Sequence, residues 1–113
     1  MSAADPRHAP PTTRGREDVA VVVVSHDGER WLPTVLEGLA GQLVPITRCV
    51  GVDTGSKDAS PDLLAEAFGP DGVVRAPAST SFPAALRAGL EQLDRLGVDA
   101  EWVWVLHDDA SPH

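Results

Sequence analysis

The chain has 113 residues, enough for one small domain, and 42% of them are hydrophobic, as in a globular protein. Nine basic residues stand against 17 acidic ones, a net charge of -8. That balance excludes sequence-independent nucleic-acid binding, which needs Lys and Arg to replace counterions, and it disfavours docking on an anionic membrane. The single cysteine, Cys49, forms no internal disulfide and sits in an apolar run, where it reads as a small buried hydrophobe. No run of about 18 apolar residues could span a bilayer. The N-terminus lacks an apolar signal core, so a cytoplasmic location is the default expectation.

Residues 1–18 carry Pro6, Pro10, Pro11, Arg7, Arg14 and Arg16 without apolar periodicity, and are expected to form a disordered leader. Val19 to Val24 is a continuous β-branched run, the pattern of a strand buried on both faces of a parallel sheet. The polar turn Ser25-His26-Asp27-Gly28-Glu29-Arg30 follows. Leu32, Val35, Leu36, Leu39 and Leu43 then recur at helical spacing. Pro33 is tolerated only in a first turn, so this helix should start near Arg30 or Trp31.

Arg48 to Asp53 reads as the second strand, leaving through Asp53-Thr54-Gly55-Ser56-Lys57-Asp58. Ser60-Pro61-Asp62 has the form of a helix N-cap, a first-turn proline and a first-turn acid; Gly69 is the stop signal. Val73 to Arg75 is a short third strand. Phe82, Leu86, Leu90, Leu93 and Leu96 are expected to mark the buried face of a third helix that ends at Gly97. Trp102 to Leu106 is the fourth strand. Trp102 and Trp104 share one of its faces and read as core rather than as a sugar platform. The order βαβαβαβ implies an α/β fold, an open parallel sheet with helices on both faces.

In such a sheet, ligands bind beyond the carboxyl ends of the strands, where strand order reverses. Three of the four strand exits carry carboxylates: Asp27, Asp53 and the pair Asp108-Asp109. Adjacent carboxylates repel unless a cation or donors hold them. Hard oxygen ligands suit Mg²⁺ or Mn²⁺, which bridge carboxylates to substrate phosphates. The turn after the first strand has one glycine, so it is not a Gly-x-Gly-x-x-Gly dinucleotide turn, and no Gly-Lys-Ser/Thr phosphate loop follows any strand. An aspartyl phosphotransfer enzyme would want several acids after the first strand, where only Asp27 stands. A nucleotidylyltransferase would want a glycine-rich, basic first loop. A non-enzymatic nucleotide-binding or regulatory α/β module stays open.

Four segments in order resemble family 2 glycosyltransferases of the GT-A fold, over Val19 to Ala110. They are Val21-Val22-Val23-Val24-Ser25-His26-Asp27-Gly28 with Trp31-Leu32; Val52-Asp53-Thr54-Gly55-Ser56-Lys57-Asp58-Ala59-Ser60; Phe82 with Ala84-Ala85 and Arg87-Ala88-Gly89; and Val103 to Ala110. The departures are Asp27, Thr54 and Arg87 where the family often has Asn, Asp or Asn, and Asn respectively. Ser81 stands for a glycine, and His107 for the first acid of an Asp-x-Asp motif.

The resemblance implies transfer of a sugar from a nucleoside-diphosphate sugar to an acceptor hydroxyl on a glycan or lipid-linked acceptor, inverting and dependent on Mg²⁺ or Mn²⁺. It implies that Asp53 hydrogen-bonds the base, and that Ser25, Asp27, Arg87 and Asp108 also face the donor. Asp109, Asp108 and His107 would serve the metal. Arg87 reads first as a solvated helix-face arginine and Asp58 and Ser60 first as turn and helix caps, while His107 reads equally as a structural hydrogen-bonder. Gly55 is expected to supply an unusual turn dihedral. In the family the general base lies downstream of the metal motif, past His113 here. The expectation is therefore a piece of a longer protein, truncated after the metal motif and inactive alone. Segments beyond it could attach it to the inner face of a membrane.

Overall fold

The computed structural model describes residues 19–41 and 46–107. The expected leader, Leu43, Pro45, Asp108 and Asp109 lie outside the described residues. The elements run β1 (Val19–Ser25), α1 (Leu32–Ala40), β2 (Ile46–Thr54), α2 (Ser60–Phe68), a 3-10 turn (Pro70–Gly72), β3 (Val73–Ala76), α3 (Phe82–Arg95) and β4 (Trp102–His107). The sheet is parallel throughout, in the order β3-β2-β1-β4. This is the α/β architecture that the alternating pattern implies.

Strand β1 is the centre of the sheet, flanked by β2 and β4, and all seven of its residues are buried. Its side chains alternate between two cores. Ala20, Val22 and Val24 pack with Val50 and Val52 of β2 and with Ala85 and Leu93 of α3. Val19, Val21 and Val23 pack with Leu32 of α1 and Leu64 of α2 on the opposite face. Trp102, Trp104 and Leu106 of β4 are half-buried against this second core. The tryptophans are therefore core residues of an edge strand, as their period-two spacing indicates.

Two details differ from the sequence expectation. On α3, Ala85, Gly89 and Leu93 form the buried stripe, whereas Phe82 and Leu90 are exposed and Leu86 and Leu96 are half-buried. The physical reason is close approach. A Cβ on Gly89 would stand 2.6 Å from Val22 Cγ1 and 3.1 Å from Val52 Cγ2. The helix lies so near the sheet that Ala85 and Gly89, with Leu93 but not Phe82 or Leu90, face the strands. At α2 the N-cap is Ala59 rather than Ser60; Ser60 is the first helical residue and is fully buried.

The spacing at Gly89 yields a stability contrast. Gly89→Val should cost about 1–3 kcal/mol by overpacking the α3–sheet contact. At Gly38 of α1 a Cβ would meet nothing within 4 Å. Gly38→Ala should therefore stabilise, by up to about 1 kcal/mol of helix propensity. Urea unfolding of the two variants beside the parent chain measures both shifts.

Candidate ligand cleft at the strand ends

The chain adds β2 and β3 on one side of β1 and then crosses to the other side to add β4. The strand order thus reverses at β1, and the crevice beyond the ends of β1 and β4 is where such sheets take ligands. A cleft of about 220 Å³ lies there, lined by Val24, Ser25, His26, Thr54, Ala78, Thr80, Phe82, Ala85 and His107. Its walls carry three hydroxyls, two imidazoles and one aromatic ring. No carboxylate lines it among the described residues, in a chain of net charge -8. A larger hollow, lined in part by Leu36, Leu39, Cys49 and Phe68, lies against the opposite ends of the strands, away from these groups. Burial pushes the Cys49 thiol up from its ordinary value, with Arg48 opposing, which leaves it poorly suited to be a nucleophile.

Parallel register sets the cleft floor. Ser25 pairs with Asp53, Asp53 with Arg75, and Val24 with His107. Ser25 is 1% exposed, and its hydroxyl has no hydrogen-bond partner among the described residues. An orphaned buried hydroxyl costs free energy unless a partner satisfies it, so the end of β1 is a place where a ligand donor or acceptor is favoured. His26 holds Thr54 from outside: its Nδ1 donates to the Thr54 carbonyl, and Thr54 Oγ1 lies 3.3 Å from the same nitrogen. Its Nε2 lies 3.3 Å from Asp27 Oδ2. His107 and Phe82 stack at the rim, with ring centroids 4.4 Å apart and planes tilted by 56°.

The turns after β1 and β2 are clasped to each other by side chains. Asp27 adopts φ 50°, an uncommon conformation that Asp tolerates better than most residues. Its N–H donates to Ser56 Oγ at 2.7 Å, and the Lys57 N–H donates to Asp27 Oδ1 at 2.7 Å. The Gly28 N–H donates to Ser60 Oγ at 2.7 Å. The Glu29 N–H donates to Asp58 Oδ2 at 3.1 Å, and the Ala59 N–H returns a bond of 3.1 Å to Glu29 Oε1. Gly55 has φ 68°, the turn dihedral expected of it, and a Cβ there would stand 2.6 Å from the Ala78 nitrogen. Only glycine lets the 77–80 loop close on this clasp and wall the cleft.

Asp53 is fully buried, and both carboxylate oxygens accept from Ser56: Oδ2 from its N–H at 3.0 Å, Oδ1 from its hydroxyl. Arg75 Nε lies 3.9 Å from Oδ2 but is largely exposed. Asp53 therefore shapes its own turn and has no exposed surface. Asp58 accepts the Ser60 N–H at 2.9 Å and the Ser60 hydroxyl at 2.6 Å. Asp58 thus satisfies the first N–H of α2, while Ser60 is its first helical residue and not its cap; both also bridge to the β1 turn, which local pattern does not reveal. Arg87 is exposed on α3 with no partner among the described residues, which fits a solvated arginine.

The structure thus gathers Ser25 and His107 at one cleft, with Asp27 and Asp53 in the clasp beside it. Asp108 and Asp109 lie outside the described residues. Among those described, no three His, Cys, Asp or Glu side chains converge as a metal site. Thr54, Thr80 and Phe82 also line the cleft, although the sequence reading gives none of them a ligand role: Thr54 and Phe82 stand in the resembling segments, Phe82 as a core residue of α3. No helix among the described residues is long and apolar enough to cross a membrane.

Scans against protein-family models, curated proteins and solved structures return no match to this chain.

The clasp has a pH signature. Burial alone would raise the Asp58 carboxyl, but hydrogen bonds from the Ser60 hydroxyl, the Ser60 N–H and the Glu29 N–H outweigh it and hold the pKa below the ordinary value of 3.8. A depressed carboxylate stabilises the fold fully above its unfolded pKa and loses that contribution as pH falls through the folded one. Asp58→Asn should therefore lower Tm at pH 6. The gap to the parent chain should close as pH drops from about 4 towards 2. Thermal unfolding of both chains across that range measures it.

Proposed function

We propose that the chain is the nucleotide-sugar-binding part of a family 2-like glycosyltransferase, whose reaction moves a sugar from a nucleoside-diphosphate sugar to an acceptor hydroxyl of a glycan or lipid-linked acceptor. The observation that carries this reading is the cleft at the strand-order reversal, walled by hydroxyls and imidazoles. A donor-rich pocket with no carboxylate among its described lining residues, in an otherwise acidic chain, suits a ligand that is polar and phosphate-bearing. The ordered motif resemblance supplies the sugar donor.

Within this reading the residues divide the work. The orphaned Ser25 hydroxyl, with the Thr54 and Thr80 hydroxyls nearby, offers hydrogen bonds to the bound nucleotide. The Asp53–Ser56 turn and the Asp27–Lys57 bond hold the loops that frame it, so that little ordering remains for the binding step. His107 stands at the end of β4, one residue before the Asp108-Asp109 pair. Asp109, Asp108 and His107 are the residues that would hold Mg²⁺ or Mn²⁺, which would neutralise charge on the departing diphosphate. A general base for the acceptor hydroxyl has no candidate among the described residues, and the sequence resemblance places it downstream.

An amide NMR titration with UDP, GDP and dTDP, each with and without Mg²⁺, tests the proposal. The expected result is nucleotide-dependent shifts at Ser25, Thr54 and Thr80, strengthened by the metal, with saturation at millimolar concentration or below. A folded chain whose cleft residues do not respond to any of the three nucleotides would instead favour the regulatory-module reading.

A further inference from the structure

Phe82 is the first residue of α3, and 37% of it is exposed. The sequence pattern assigns it to the helix core. The structure instead turns it to the cleft rim, where it meets His107 across a ring distance of 4.4 Å. Both rings line the same cleft as the buried, unpartnered Ser25 hydroxyl. Nothing in the core needs this aromatic: the α3–sheet contact is made by Ala85, Gly89 and Leu93.

Asp53, the residue that the motif resemblance assigns to the base, is fully buried, with each carboxylate oxygen already accepting from Ser56. A base could reach it only by opening that turn. The planar, partly apolar end of a nucleotide needs a different surface, and the rim offers one. Resting on the nucleotide-binding reading above, we infer that the Phe82 ring, braced by His107, is the platform on which the nucleobase stacks, with the Thr54 and Thr80 hydroxyls at the cleft wall within the same pocket. Stacking on an aromatic face is sequence-tolerant because every base presents a π-face. The platform therefore provides affinity for a heterocycle as a class, and choice among bases falls to the hydroxyls beside it. In this arrangement Asp53 is a positioning residue, acting through Ser56 on the turn that frames the cleft.

The test compares the parent chain with Phe82→Leu by calorimetry and NMR, using UDP, GDP and inorganic pyrophosphate as probes, all with Mg²⁺. Leucine keeps an apolar side chain at an exposed site, so the fold should persist, and the amide spectrum of the variant checks that it does. The platform predicts that Phe82→Leu weakens UDP and GDP by about tenfold or more while pyrophosphate is unchanged, since stacking contributes only to the base. It also predicts upfield shifts of the base protons on binding the parent chain, and their loss in the variant. Nucleotide binding that shifts Ser25 and Thr54 but is indifferent to Phe82→Leu would overturn the platform and leave the nucleotide-site reading standing. Equal weakening of pyrophosphate and nucleotides would overturn it too, because the ring would then be shaping the cleft rather than carrying a base. Absence of any nucleotide response in the folded parent chain would remove both proposals together.

Discussion

Every strand pairing but one in this sheet is made to β1, and the burial of that strand on both faces is the constraint from which the remainder follows. A parallel strand with two neighbours satisfies its backbone within the sheet, so its side chains are free to be wholly apolar. Val19 to Val24 meet that condition, and none of them is more than 5% exposed. The polar residues that end the strand must then emerge together at one edge. Because β2 and β4 flank β1, their ends emerge beside it, which brings Ser25, Thr54 and His107 to one cleft. The depth of that cleft depends on how near α3 lies to the sheet. Gly89 against Val22 sets this distance, and with it the place where Phe82 leaves the core and reaches the rim.

The second organising feature is the clasp between the two turns. Its bonds are nearly all between a side chain of one turn and a backbone amide of the other, and the acids supply acceptors rather than free charge. Asp27, Asp53, Asp58 and Glu29 each accept at least one N–H. This explains how several carboxylates tolerate one another at a single edge: amide donors stabilise the charged form and spread the load. It also fixes the loops before any ligand arrives. A pocket framed by loops that are already ordered loses less entropy on binding.

The fold was readable because its signals are periodic and local. A β-branched run, amphipathic helices and stop glycines state the βαβαβαβ order without tertiary information. The buried face of α3 was not readable from the same rule. Apolar periodicity favours the largest residues, and Leu90 and Phe82 have the right spacing; close packing selects instead for the smallest, Ala85 and Gly89. The clasp was hidden for another reason. Asp58 and Ser60 look like ordinary helix caps from their neighbours, and their bonds to Glu29 and Gly28 join residues about thirty positions apart. For the candidate site, the strand-end rule located the edge and named Ser25 and His107. The wall from the 77–80 loop and the ring at Phe82 depend on how a helix docks, which no local pattern encodes.

The electrostatics of the cleft set two scales against each other. On the proposed reading, a chain of net charge -8 repels a nucleoside diphosphate at long range, and salt screens that repulsion only beyond about 10 Å. At short range the described lining of the cleft offers hydroxyls and imidazoles and no carboxylate, because Asp53 and Asp27 are committed to Ser56 and Lys57. Binding must then come from terms that do not depend on net charge. Hydrogen bonds to a desolvated hydroxyl are one, and stacking of a neutral base on a neutral ring is another. A divalent cation carried in with the diphosphate is a third, since it cancels the ligand charge that the protein opposes. If the cleft takes a nucleotide as proposed, the acidic character of the chain and a cleft without carboxylates among its described lining residues would together disfavour free anions and favour a metal-paired ligand.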